Sequence, residues 1–224
     1  MSNWMLLSDG REHYLSGIDA LQNTFSLPSI AHHLSIINRF TGATKRPYSV
    51  AEHSLLCADI SEQAGHPPHL QLACLMHDAH EAITGDMSSP AKWTVGDAWR
   101  AFEQPQARAL RRHFGLLTAF TAHAPSIHQV DLIALATERR DLMPYRAGTH
   151  APWPILDTPG NEVPTVSISL TAPKREQTHW TEWRDLFVQR FCRLDEITRN
   201  TLQQIKGPGS DVVSRKITGR SVFQ

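Results

Sequence analysis

Eleven consecutive residues, MHDAHEAITGD from Met76 to Asp86, carry two histidines and three carboxylates. Neutral imidazole and carboxylate are ligands for divalent metals, and a catalytic site needs several of them converging with a coordination position left for water. His77 and Asp78 offer two such ligands from one turn. Helix neighbours diverge by about 100°, so both reach one ion only if it lies off the helix flank and other elements close the site. His53, within AEHS, and Asp131, within HQVDLIA, lie on or beside apolar faces and complete a set of the form H…HD…D. Glu81 follows Asp78 by three residues and His77 by four, which puts all three in one sector of a helix with Glu81 placed to touch a bound water. Asp86, beyond the break at Gly85, can turn back towards the same cavity as a second carboxylate. The load of this stretch suits a metal-water site.

An HD dipeptide alone is common on capped, solvated helix faces, so the case rests on the whole set. Of the 13 histidines, the ten other than His53, His77 and His80 are read as surface or capping residues; His80 either supports the ligands from behind or, the stronger reading, faces solvent between them. Other catalytic patterns fail. HExxH would need a histidine where Thr84 stands, and the deaminase pattern lacks its cysteine pair. No glycine-rich phosphate loop is present.

The elements that must position these residues read as helices. Apolar residues recur at helical intervals from Ser29 to Phe40, ending at Thr41-Gly42, and again from Val50 to Ile60, where Ser49 and Glu52 have the spacing of a capping box. A third apolar face runs from Leu70 to Ile83 and carries the HD pair; a fourth spans 97–114, with Pro105 expected to break or kink it. Residues 126–142 and 176–205 complete the helical set. Ser8-Asp9-Gly10 between short apolar runs predicts an N-terminal β-hairpin. Residues 144–173, rich in proline, form an irregular excursion in which only Val163–Leu170 reads as a strand. The fold class expected is all-α, a helical bundle over residues 1–205 as one domain, followed by a polar, mobile tail over 206–224.

Composition narrows the partners. Among 224 residues, Lys plus Arg equals Asp plus Glu at 22 each, which removes the electrostatic footprint of a nucleic-acid polymer or anionic-membrane binder and favours a small ligand. No apolar run approaches a membrane span, and the N-terminus lacks a signal-peptide pattern, so a cytoplasmic protein is expected. Cys57, Cys74 and Cys192 lie far apart within apolar helical patterns and are expected as buried free thiols.

Three blocks, RFTGATKRPYSVAEHS (Arg39–Ser54), MHDAHEAITGDMSSPAK (Met76–Lys92) and DLIALATERRDL (Asp131–Leu142), resemble in order and separation those of the HD-domain phosphohydrolase superfamily, and more closely its YfbR-like 5′-deoxynucleotidase branch with its phage and prophage members. HDxxExxxxD followed by Pro-x-Lys is far more specific than HD alone. The resemblance implies an HD-domain helical bundle in which His53, His77, Asp78 and Asp131 hold one divalent metal ion (Mn, Co, Zn, Fe or Ni) and Glu81 and Asp86 act on the attacking water. It implies substrate contacts at Arg39 and Lys92, with Phe40 standing where the family has tryptophan.

The implied activity is release of phosphate from deoxynucleoside 5′-monophosphates. A bound ion brings its water's pKa towards about 7 and offsets phosphate charge, while Glu81 orients or deprotonates the water and Asp86 assists or protonates the leaving group. Triphosphohydrolysis of a substrate such as dATP is the near rival, and room beside the metal separates the two. A cyclic-nucleotide phosphodiesterase and a non-catalytic nucleotide-binding module are further alternatives. The resemblance also implies a homo-oligomer, a dimer or larger.

Overall fold

Ser49 starts the helix around which the others pack. Its hydroxyl accepts from the Glu52 amide at 3.2 Å, and the helix that follows, Val50–Gln63, is buried nearly all round, His53 and Glu52 included. The expected capping box is only half made. The Glu52 carboxylate does not return to Ser49 but is held by Arg46 through two 2.8 Å bonds and by Arg175 at 3.0 Å.

The computed structural model describes residues 3–206. An antiparallel hairpin, β1 (Trp4–Leu6) and β2 (Glu12–Tyr14), pairs Met5 with His13 around a turn in which Gly10 takes φ 81°. The helices follow as α1 (Leu27–Ile36), α2 (Val50–Gln63), α3 (Pro68–Leu75), α4 (Glu81–Thr84), α5 (Ser89–Val95), α6 (Asp97–His113), α7 (Leu117–Ala122), α8 (Ala124–Leu142), α9 (Pro173–Gln177) and α10 (Trp180–Lys206). The all-α class with a small N-terminal hairpin stands. Apart from Lys206, which ends α10, the expected tail lies outside the described residues.

One apolar cluster joins α1, α2, α3, α6 and α10 through Leu34, Leu75, Leu110 and Phe187. A second, on the other side of α2, joins α3 and α8 through Leu56, Ala73, Val130 and Leu142. The helices carrying the candidate ligands therefore approach one another over packed cores. Among the described residues, no helix is long and apolar enough to cross a membrane.

Five local expectations are corrected. The helix expected to reach Phe40 ends at Ile36; Arg39 lies beyond it, its amide bonded to the Tyr48 carbonyl at 2.8 Å. The helix expected over 70–83 is interrupted: residues 76–80 form turns with bonds such as Glu81 N to Asp78 O, 2.9 Å, which tighten the chain to three-residue steps. Helix α6 runs through Pro105 because Pro105 and Ala101, whose carbonyl would lose its donor, both lie on the exposed face. The last helix is two, α9 and α10, parted at Thr178-His179.

Residues 163–170 form no strand, since among the described residues no strand lies beside them. The burial alternation is nevertheless present, with Val166, Ile168 and Leu170 facing the core, and side chains of α8 satisfy the backbone. Arg140 donates to the Val166 and Ile168 carbonyls at 2.7 and 2.9 Å, and Asp141 accepts from the Leu170 amide at 2.9 Å.

Candidate metal centre and flanking clefts

His53 reaches the site from the middle of α2, His77 and Asp78 from the turn after α3, and Asp131 from α8. Their ligand atoms converge. The two Nε2 atoms are 3.2 Å apart; Asp78 Oδ2 is 3.5 Å from His53 Nε2 and 3.1 Å from His77 Nε2; Asp131 Oδ1 is 3.3 and 3.6 Å from the same atoms. Ligands held about 2.0–2.2 Å from one ion at tetrahedral or right angles lie about 2.8–3.6 Å from one another. The observed separations fall in that window.

Tautomers strengthen the fit. His77 Nδ1 donates to the Cys74 carbonyl at 2.8 Å, and His53 Nδ1 donates to Glu138 Oε1 at 2.5 Å, so a neutral ring at either position presents a bare Nε2 lone pair. Two lone pairs and two carboxylate oxygens facing one another repel unless positive charge lies among them. Proton equilibria report the same demand. Burial opposes the charged form of both imidazoles, yet Asp78 beside His77, and Glu138 with Asp131 beside His53, hold both well above the usual histidine range. Burial likewise disfavours the charged carboxylates, but the imidazoles keep Asp78 and Asp131 well below theirs. Cys57 Sγ, 3.6 Å from His53 Nε2, is a further donor within reach, forming with His53, His77 and Asp131 a group that could hold a metal.

Glu81 and Asp86 both line a cleft beside Asp78. Glu81 is 2% exposed and its Oε2 has no hydrogen-bond partner among the described residues. Burial, then Asp78 and Asp86, push its carboxyl well above the usual carboxylate range; burial and Asp78 also raise Asp86 against the pull of Arg39. Gly85 makes the return possible at φ 76°, ψ 159°, a region open essentially to glycine alone.

Two clefts meet at the centre and share Asp78, Lys92 and Asp131. The first, about 420 Å³, is walled by Phe40, Trp93, Trp153 and prolines, with Ser88 and Ser89 at its side. The second, about 570 Å³, is lined by Arg108, Arg111 and His128 over Leu117, Phe120 and Ile127. Both volumes lie in the range of roughly 300–1,000 Å³ typical of small-molecule sites. Phe40 and its neighbour Thr41 sit in left-handed backbone at φ 55° and 53°, a strain of about 1–3 kcal/mol each of the kind that collects at ligand sites.

Arg39 borders the first cleft but is only 8% exposed, and its guanidinium lies 3.4 Å from both Asp78 and Glu138. Lys92 borders both clefts and is held by Glu103 at 2.8 Å, with Glu81 Oε1 3.6 Å away. Two histidine expectations are corrected: His80 is buried and pairs with Glu103 at 3.3 Å, and His13 is fully buried and bonds to Gln106 at 3.0 Å. Cys192 is exposed, whereas Cys57 and Cys74 are buried as expected.

Glu138 is the residue that pattern reading passed over. Fully buried, it also accepts from the Tyr48 hydroxyl at 2.8 Å and so fixes both the His53 ring and the Arg39 side. Its signal was its position seven residues, two turns, after Asp131 on the same face of α8. Glu103 had no comparable signal, because it comes from α6, which bears none of the ligands.

No protein-family model matches the chain. It is 31% identical over 191 residues to the uncharacterized protein YfdR of Escherichia coli (strain K12), an alignment covering 85% of this chain and 94% of that protein. An uncharacterized protein of Rhodobacter capsulatus is 34% identical over 117 residues, covering 50% of this chain and 59% of that relative.

Proposed function

We propose that this chain, which belongs to the family of Escherichia coli YfdR, is a divalent-metal-dependent nucleotide phosphohydrolase of the HD type. It cleaves deoxynucleoside 5′-monophosphates to nucleoside and phosphate. The observation that carries the reading is the convergence of His53, His77, Asp78 and Asp131 between two clefts, beside a buried carboxylate with a free oxygen.

His53, His77, Asp78 and Asp131 would hold the ion, with Glu138 and the Cys74 carbonyl keeping both rings in the ligating tautomer. When bound, such an ion activates water and offsets phosphate charge. Two imidazoles with two carboxylates suit Mn, Co, Zn, Fe or Ni.

Glu81 Oε2 is the acceptor for the water's proton. A carboxyl raised by burial is a stronger base than one in water, and a buried unpartnered oxygen is costly unless water or substrate meets it. Asp86, in the same cleft and also raised, supplies a proton to the departing 5′-oxygen. Lys92, presented by Glu103, faces the phosphate from the junction of the clefts. The base and sugar occupy the aromatic cleft of Phe40, Trp93 and Trp153.

The test is a screen of the full-length chain with each of the five metals against deoxynucleoside mono- and triphosphates, with products resolved. The expected result is nucleoside and phosphate from dAMP, and a fall of about 10²–10⁴-fold in kcat for Glu81→Gln with the metal retained. Near-native turnover by metal-loaded Glu81→Gln, or no hydrolysis of any nucleotide, defeats the reading.

A further inference from the structure

His69 and His123 come from different parts of the chain and meet away from the candidate metal centre. Their Nε2 atoms are 3.0 Å apart and their ring centroids 5.0 Å, with the planes tilted by 41°. Both residues are half-buried. The backbone leaves each little freedom. His69 is the second residue of α3, behind Pro67 and Pro68, and His123 sits at the corner between α7 and α8, its amide bonded to the Ala119 carbonyl at 3.0 Å and its carbonyl to the Ile127 amide at 2.9 Å. Along the chain His69 precedes His77 by eight residues and His123 precedes Asp131 by eight, which places Asp131 about 12 Å further down the axis of α8.

Two neutral imidazoles this close can share one proton between the facing nitrogens, but only if the rings take opposite tautomers. Among the described residues nothing imposes that choice, since neither Nδ1 is engaged by a protein group. With both Nδ1 atoms protonated, both Nε2 atoms present bare lone pairs to the same point. Nitrogens 3.0 Å apart subtend about 90–100° at an ion about 2.0–2.1 Å from each. That angle suits the square or tetragonal coordination of Ni²⁺ and Cu²⁺ better than the tetrahedron of Zn²⁺, and imidazole ligands do not suit Mg²⁺ or Ca²⁺. No third His, Cys, Asp or Glu joins the pair among the described residues, which leaves the remaining coordination positions to water.

We propose that His69 and His123 form a transition-metal site for Ni²⁺ or Cu²⁺, separate from the candidate centre, which clips the start of α3 to the α7–α8 corner. The clip joins residues 54 apart in sequence and needs neither the first centre nor any hydrolysis. An ion held only by the folded chain stabilises it by mass action.

Equilibrium dialysis of the untagged full-length chain against a small excess of free Ni²⁺, with metal counted per chain, is the test. Wild type is expected to retain one equivalent more than His69→Gln/His123→Gln, and Ni²⁺ to raise the Tm of wild type more than that of the variant. The control His150→Gln/His179→Gln, which removes two exposed histidines, keeps the full count. Wild-type crystals soaked in nickel chloride give a reading that needs no variant: an anomalous peak at the nickel edge between the two Nε2 atoms. Equal counts in wild type and His69→Gln/His123→Gln, an equal loss in the control, or no peak between those atoms overturns the site. A count that falls from two to one upholds the clip alongside the first centre, whereas one falling to none upholds the clip and leaves the first centre without nickel, which tells against the reading of that centre instead.

Discussion

Glu138 Oε1 lies 2.5 Å from His53 Nδ1, with both side chains fully buried. A carboxylate in that position selects the ring tautomer, orients Nε2 and raises its donor strength. Glu138→Gln keeps the shape but gives up the charge, and is expected to weaken Mn²⁺ or Co²⁺ binding by about 10–100-fold in a calorimetric titration. Unchanged affinity in a folded variant means that Glu138 does not position the ligand.

Glu103 ties Lys92 and His80 to one carboxylate, and those two partners hold its pKa down to about 2 although burial works against them. A depressed carboxyl contributes stability that is fully present above its unfolded value and is lost as pH falls through the folded one. The window here runs from about 4.5 down to about 2. Urea unfolding at stepped pH should therefore show wild type more stable than Glu103→Gln near neutrality, with the gap closing on acidification below about 4.5. A gap that is constant over that window contradicts the assigned pairing.

Thiol accessibility divides the cysteines. Cys192 is exposed, while Cys57 and Cys74 are buried and burial pushes the Cys74 thiol up to about 11. Because the thiolate is the reactive form, alkylation of the native chain near pH 8 should label Cys192 alone, with the other two reacting only after unfolding. Peptide mapping of the labelled chain reads this directly, and early modification of Cys74 contradicts it.

Arg139 anchors the segment that walls the aromatic cleft. It makes two 2.6 Å bonds to Asp157 and lies over the rings of Tyr145 and Trp153 at 4.5 and 5.3 Å. Removing it in Arg139→Ala is expected to raise protease cleavage within residues 144–158 by about tenfold, since local opening follows the bonds that hold a segment closed. Nucleotide KM should rise in the same variant, because Trp153 belongs to the cleft wall. Unaltered cleavage and KM together would show that Arg139 anchors nothing.

Particular residues show how far pattern reading reaches. His53, His77, Asp78 and Asp131 stand out in the sequence for ligand chemistry and apolar placement, and their atoms meet. The interruption between α3 and α4 was not legible, because Met76, Ala79, Ala82 and Ile83 stay buried through it and the apolar rhythm continues while the backbone tightens. The alternation at Val166, Ile168 and Leu170 identified the inward face but not a sheet, since alternation records extended chain and says nothing of what lies alongside. The second cleft was invisible for a different reason: Arg108 and Arg111 look like ordinary solvated positions on an amphipathic helix until α7 and α8 close the other wall.

Arg140 grips two carbonyl oxygens of the excursion, groups that every amino acid offers. The route of that stretch is thus specified by the helix beneath it and hardly at all by the outward side chains travelling along it. Substitutions at the exposed Thr165, Ser167 and Ser169 can accumulate over generations without rerouting the chain, whereas a change at Arg140 or Asp141 removes bonds that hold it. Evolution has here a patch of surface whose chemistry can drift while its scaffold is inherited intact.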